Sequence, residues 1–207
     1  MCSRFFVSIV CGLLFLSQAF ADDTTYIKVH FLYGSKPKWA HRKTEYKWFG
    51  GKIGGHVGIE IDSNEILNFL PYGRFHWFAH SKNRHSHYAL HEPEQFWEIL
   101  GNTIGTVKKA TIVIPITGRQ KKQLDSLKQL YMRQTPYDYA LAGMRCGSAT
   151  YEILAQLGIL KQYSYKKTYR KIYIPKKLRR QLLNLAKLNH WKVIRQPGTE
   201  KRKWEED

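Results

Sequence analysis

With 207 residues, 34 lysines and arginines against 16 acids and a formal net charge of +18, the chain is long enough for one ordinary hydrophobic core and too short for two independent domains. Its three cysteines are too few for a disulfide-dense scaffold, and a field this positive favours anionic partners such as nucleic acid, phospholipid headgroups or acidic cell-wall polymers, without choosing among them.

Residues 1–21 read as a cleavable secretory signal. Arg4 precedes an apolar stretch at residues 5–16, too short to span a bilayer comfortably, and Ala19-Phe20-Ala21 gives a small-x-small cleavage site before Asp22-Asp23. Val10, before Cys11, is not small, so no lipid attachment is expected. Cleavage near Ala21 removes Cys2, Cys11 and one positive charge, leaving 186 residues at +17 with Cys146 unpaired. The expected location is secreted or periplasmic.

Residues 26–33 alternate and predict a strand. Residues 36–52 form a basic, aromatic loop. Residues 56–61 (HVGIEI) and 65–70 (EILNFL) flank Asp62-Ser63-Asn64, the chemistry of a hairpin turn, and Pro71 ends the second run. Residues 76–91 are polar and histidine-rich and predict a long loop with a short strand. A strand follows at 106–117, with Pro115 at a sheet edge. Helical spacing then spans 119–134 through Leu124, Leu127, Leu130 and Tyr131, while 137–143 has no clear periodicity. A second helix runs from Cys146 to a stop at Gly158.

The last 47 residues hold 15 basic side chains and 4 acids. Pro175 opens a basic amphipathic helix with Leu178, Leu182, Leu185 and Leu188 on its apolar side. Residues 22–196 are therefore expected to form one domain, and 197–207 a loose charged tail.

Cys146 stands at a helix start after Arg145 and before the small residues Gly147, Ser148 and Ala149. Unpaired helix N–H groups and a neighbouring guanidinium both favour a thiolate, and those N–H groups can hold an oxyanion. A free cysteine is equally at home as a small core residue.

A nucleophile needs a base. His56 heads a strand and shares a face with Gly58 and Glu60. If Asp62, Ser63 and Asn64 form a three-residue turn with Asn64 left-handed, facing residue numbers sum to 126. Gly58 then lies opposite Asn68, and His56 is its diagonal neighbour, roughly 7–8 Å away between Cα atoms. Asn68 is thereby within reach to orient the ring. A two-residue turn would send Asn68 to the other face. Glu60, roughly 13 Å along the strand from His56, is too distant for that role.

The runs HVGIEIDSNEILNFLP and PYDYALAGMRCGSATYEILAQLGI together resemble the circularly permuted NlpC-type papain-like cysteine hydrolases, the branch with YiiX-like proteins and the lecithin:retinol acyltransferase family. The resemblance covers roughly residues 26–160. It implies an α+β fold in which an antiparallel sheet packs against helices and the nucleophile opens one of them. It further implies His56 as base, Asn68 as third residue, Cys146 as nucleophile and the Cys146 or Gly147 backbone N–H as oxyanion donor, with no cofactor. The third residue is usually histidine in acyltransferase-like members and glutamate in YiiX-like ones. Asparagine here matches the Cys-His-Asn set of other papain-like enzymes.

The expected activity is that of an exported thiol hydrolase acting on amide or ester bonds, peptidoglycan peptides among them. Two other readings stand beside it. One is a non-catalytic basic module for anionic polysaccharide or lipid, presenting Tyr163, Tyr165, Tyr169, Tyr173 and the intervening lysines. The other is a metal-dependent hydrolase built on His76, His80 and their neighbours. No nucleic-acid module signature is present.

Overall fold

The computed structural model describes residues 25–45, 54–73, 76–80, 85–100 and 105–207. The expected signal, with Cys2 and Cys11, and the second half of the basic loop lie outside these residues. In chain order the strands and helices are β1 (Thr25–Tyr33), β2 (Ser35–Pro37), β3 (Gly55–Asp62), β4 (Glu65–Pro71), β5 (His76–Phe78), β6 (Ser86–His91), α1 (Pro93–Glu98), β7 (Lys109–Ile116), α2 (Gly118–Arg133), β8 (Ala140–Ala142), α3 (Cys146–Gln156), α4 (Tyr165–Lys171), α5 (Pro175–Leu188), β9 (Val193–Gln196) and β10 (Arg202–Trp204).

Six strands form one sheet in the order β6-β4-β3-β1-β7-β9, with every neighbouring pair antiparallel. Because strand side chains alternate between faces, the sheet carries two apolar surfaces. One, with Val29, Val57, Ile59, Leu67 and Ile112, packs on α2, α3 and α5 and holds the main core. The other is smaller, with Leu32, Ile66 and Val107 under Phe96 and Trp97 of α1. The fold is thus α+β, a large antiparallel sheet packed against helices. Among the described residues no helix is long and apolar enough to cross a membrane.

Local chemistry explains the element ends. Asn64 takes φ 78° in the turn between β3 and β4, a conformation asparagine tolerates better than most residues. Gly58 pairs with Asn68 and Ile59 with Leu67, while the register slips by one between Glu60 and Asp62. That is the three-residue turn with its bulge. Thr117 caps α2, its hydroxyl accepting the Gln120 N–H at 3.2 Å while Gln120 Oε1 accepts the Thr117 N–H at 2.8 Å. Pro115 pairs with Tyr26 of β1, but the β9 ladder ends at Ile112, so its missing N–H falls where the outer edge of β7 is already open.

Several features depart from the sequence reading: the expected loop at 36–52 starts as β2, which takes in residues 36–37. Residues 165–171, where only a run of tyrosines and lysines stood out, form α4. The charged end of the chain is no loose tail: β10 pairs with β2, and Arg202 donates to Ser35 Oγ at 2.7 Å. The cause is Arg179, which α5 turns into the core with no exposed surface. It pairs with Glu205 at 2.8 Å and Asp207 at 2.7 Å, and its guanidinium lies 3.6 Å from the centroid of the Tyr33 ring. A buried cation needs its carboxylates, so the terminal acids are drawn in and the domain runs to the end of the chain. Leu188, expected on the apolar side of α5, is 75% exposed at the helix end.

Replacing Arg179 by methionine leaves the Glu205 carboxylate buried without its cation, a change that typically destabilises by about 3–5 kcal/mol. Urea denaturation should show that loss, and a midpoint equal to wild type would refute the clamp.

Candidate active site

Two glycines shape the β3 segment that bears His56. Gly55 has φ 93°, and a Cβ there would stand 2.4 Å from the Leu32 carbonyl oxygen, so only glycine lets β3 begin this close to β1. At Gly58 a Cβ would meet Ile66 Cγ2 and Phe96 Cε2 at 2.7 Å. Its absence lets Phe96 lie over the strand, 5.5 Å from the His56 ring between centroids.

The hairpin register places Asn68 beside His56 as the three-residue turn requires. Asn68 Oδ1 lies 3.1 Å from His56 Nε2. The Asn68 Nδ2 group donates to the carbonyls of Ile66 at 3.3 Å and Ala89 at 3.2 Å, and faces His91 Nδ1 at 3.3 Å. Those carbonyls fix which end of the carboxamide is the donor. Oδ1 must then be an acceptor, so His56 carries its proton on Nε2 and keeps the lone pair on Nδ1. Burial pushes the imidazole pKa down to about 4, against the raising effect of the Asn68 bond and with a further lowering from His91. At neutral pH the ring is an uncharged base.

Cys146 begins α3, as the small residues after it foretold. Ser148 closes the helix start, accepting the Arg145 N–H at 2.9 Å and donating to the Arg145 carbonyl at 3.0 Å. At Gly147 a Cβ would stand 3.0 Å from Pro175 N, so the first turn of α3 packs directly on the backbone that opens α5. The sulfur receives the backbone N–H groups of Gly147 and Val57 and the Tyr139 hydroxyl.

Burial works against the thiolate that the helix start and Arg145 favour. Cys146 is 3% exposed, and burial pushes its pKa up, outweighing the Arg145 charge and the three hydrogen bonds that pull it down. A helix N-terminus stabilises a thiolate, but removal from water costs more here.

The three residues singled out from sequence thus meet unequally. His56 and Asn68 are joined. Cys146 packs in the main core with Val57 and Ile59, while the His56 ring faces Phe96 on the opposite surface of the sheet. Among the described residues no hydrogen bond joins sulfur and imidazole. Gly147 N–H, expected to hold an oxyanion, points at the sulfur in this arrangement. Glu60 bonds His30 at 2.7 Å and Lys28 at 2.5 Å, consistent with its rejection as orienting residue.

Phe96 over the ring, His91 behind Asn68 and Tyr139 on the sulfur were not found from sequence. Each arrives from a separate element, and no local spacing announces it. His76, His80 and His85 gather around Asp138, away from His91 on β6. An open groove of about 450 Å³ lined by Tyr26, Pro115 and Trp191 lies near the opposite end of β1. Tyr26 is six residues, roughly 20 Å of strand, from Leu32, the partner of His56.

No family model, curated protein or solved structure matches the chain.

Because the unfolded chain returns His56 to its ordinary value of 6.5, the depressed native pKa contributes stability that is complete above pH 6.5. That stability drains away as the pH falls towards 4, up to about 3 kcal/mol. Urea midpoints at pH 7 and pH 4 should therefore differ less in His56→Gln than in wild type; equal differences would show that His56 is not held neutral by the fold.

Proposed function

We propose that the protein is an exported cysteine hydrolase of the permuted papain-like kind, acting on amide or ester bonds. The observation that supports it most is the Asn68 to His56 hydrogen bond of 3.1 Å. It leaves an imidazole lone pair on Nδ1 at the residue whose following N–H holds the Cys146 sulfur.

With the thiol pKa raised and the imidazole pKa lowered, the resting pair is neutral, and no thiolate–imidazolium pair stores charge in the core. In this reading proton transfer accompanies attack. Sulfur and imidazole start on opposite surfaces of the sheet, so the first turn of α3 must shift relative to the start of β3 as a substrate carbonyl arrives. Once sulfur and His56 Nδ1 meet, the ring takes the thiol proton and sulfur bonds to the carbonyl carbon. The same shift frees the Gly147 N–H to meet the developing oxyanion. Collapse of the tetrahedral adduct breaks the bond to the leaving amine or alcohol, which takes the proton from His56. Water, deprotonated by the same ring, then cleaves the thioester and returns the thiol. Asn68 accepts the Nε2 hydrogen throughout and keeps Nδ1 aimed at the chemistry.

The signal-like first 21 residues and the positive charge suit an enzyme held at an anionic envelope polymer or lipid surface, with peptidoglycan stem peptides as one substrate class. The deep burial of the sulfur favours a second reading, in which the same fold is a non-catalytic basic module. Its contacts would come from residues 163–177, where Lys167 and Lys171 lie 5.2 Å and 5.1 Å from the Tyr163 ring centroid.

Stem peptides and activated acyl esters supplied to the purified protein test the two readings. The hydrolase predicts an acyl adduct on Cys146 by intact mass, no turnover in Cys146→Ala, and a loss of about 10²-fold or more in His56→Ala. Turnover surviving in Cys146→Ala would overturn it. Envelope binding that persists in that variant but disappears on charge reversal at residues 166–177 would establish the binding module instead.

A further inference from the structure

The histidine-rich segment comes together on a carboxylate that the proposed thiol chemistry does not use. Asp138, 1% exposed, accepts the His76 Nδ1 hydrogen at 2.6 Å and the His80 backbone N–H at 2.9 Å on one oxygen, and the His85 backbone N–H at 2.8 Å on the other. Bonding Nδ1 to the carboxylate leaves the His76 lone pair on Nε2. That atom faces His85 Nδ1 at 2.6 Å. The His80 ring lies against the same imidazole, its centroid 4.3 Å from that of His76.

A buried carboxylate that grips one nitrogen of a histidine while the other points at a second imidazole nitrogen is the outer-sphere arrangement of protein metal sites. There the carboxylate sets the tautomer and raises ligand basicity. As the side chains stand, two nitrogens converge, and among the described residues no group of three ligands is complete. For His76 and His85 the movement needed is small. Two imidazoles on one tetrahedral zinc, at about 2.0–2.1 Å each, have their nitrogens about 3.3 Å apart, so His76 and His85 need separate by less than about 1 Å. His85 passes its Nδ1 proton to Nε2, and His80 swings about its side-chain torsions to supply the third nitrogen.

We propose that His76 Nε2, His85 Nδ1 and His80 bind a divalent transition metal of the zinc class, with Asp138 as the carboxylate behind His76. Imidazole ligands suit zinc, copper and nickel and disfavour calcium and magnesium. The metal would tie His76, His80 and His85 together, and through the His76–Asp138 bond hold them to the chain that leads through β8, the parallel partner of β5, into Cys146. Its effect is therefore expected on stability as well as occupancy.

The experiment uses the untagged protein, stripped with a chelator and titrated with zinc chloride against a chromophoric competitor, with melting temperature recorded in parallel. Expected are one equivalent bound in the micromolar range or tighter and a rise in melting temperature on zinc addition. Affinity should weaken at least about 100-fold in His85→Phe, which keeps a ring in place, and about 10–100-fold in Asp138→Asn. Cys146→Ala should bind as wild type does, which separates this site from the thiol. Failure to bind in the micromolar range, or affinity unchanged in both His85→Phe and His76→Phe, would overturn the proposal and leave the cluster as a proton-sharing structural relay.

Discussion

One left-handed residue governs the geometry around His56. With Asn64 at φ 78°, the β3 to β4 turn spends three residues, and Asn68 falls opposite Gly58 on the face that His56 shares. A turn one residue shorter would put Asn68 in the main core beside Val57 and leave the imidazole without its partner. The turn is also held from outside: Lys128 of α2 reaches Asp62 at 3.4 Å and Glu65 at 3.1 Å, and Lys121 reaches Asp62 at 3.0 Å. Individually such half-exposed pairs contribute little, but together they tie the hairpin to the helix that covers the main core.

Burial then decides the charge state of what the hairpin has aligned. His56 and Cys146 both lie in low dielectric, where each resists ionisation in its own direction: the imidazole stays unprotonated and the thiol stays protonated. Arg179 shows the contrary outcome in the same molecule. A guanidinium cannot shed its charge, so the chain brings Glu205 and Asp207 to it, and the fold extends to its last residue. His56 and Cys146 can be neutral and are; Arg179 cannot, and is paired.

The basic last quarter is less free than its composition suggests. Lys177 lies 4.5 Å from the Tyr173 ring centroid and Arg145 lies 5.7 Å from the same ring, while Tyr163 stacks on Tyr151 at 5.8 Å. Tyrosines and cations that read as an interaction surface are in part partners of one another. With 34 basic residues against 16 acids, the remaining positive field still favours an anionic environment.

Local rules made much of this legible in advance. The strand at 26–33, the hairpin register, the helix opened by Cys146, its stop at Gly158 and the helix beginning at Pro175 follow from alternation, turn chemistry and capping, all of which act over a few residues. The contact of His56 with Asn68 was legible for the same reason, since a hairpin turns register into distance. What tertiary structure alone decided lies between elements distant in the chain: which surface of the sheet the sulfur approaches, the Phe96 ring over His56, the capture of the C-terminal acids by Arg179, and the gathering of His76 and His85 on Asp138. Sequence spacing says which way a side chain points from its own strand or helix. It does not say what will be packed against it, and for a buried thiol or imidazole that neighbour, through desolvation and hydrogen bonding, sets the chemistry.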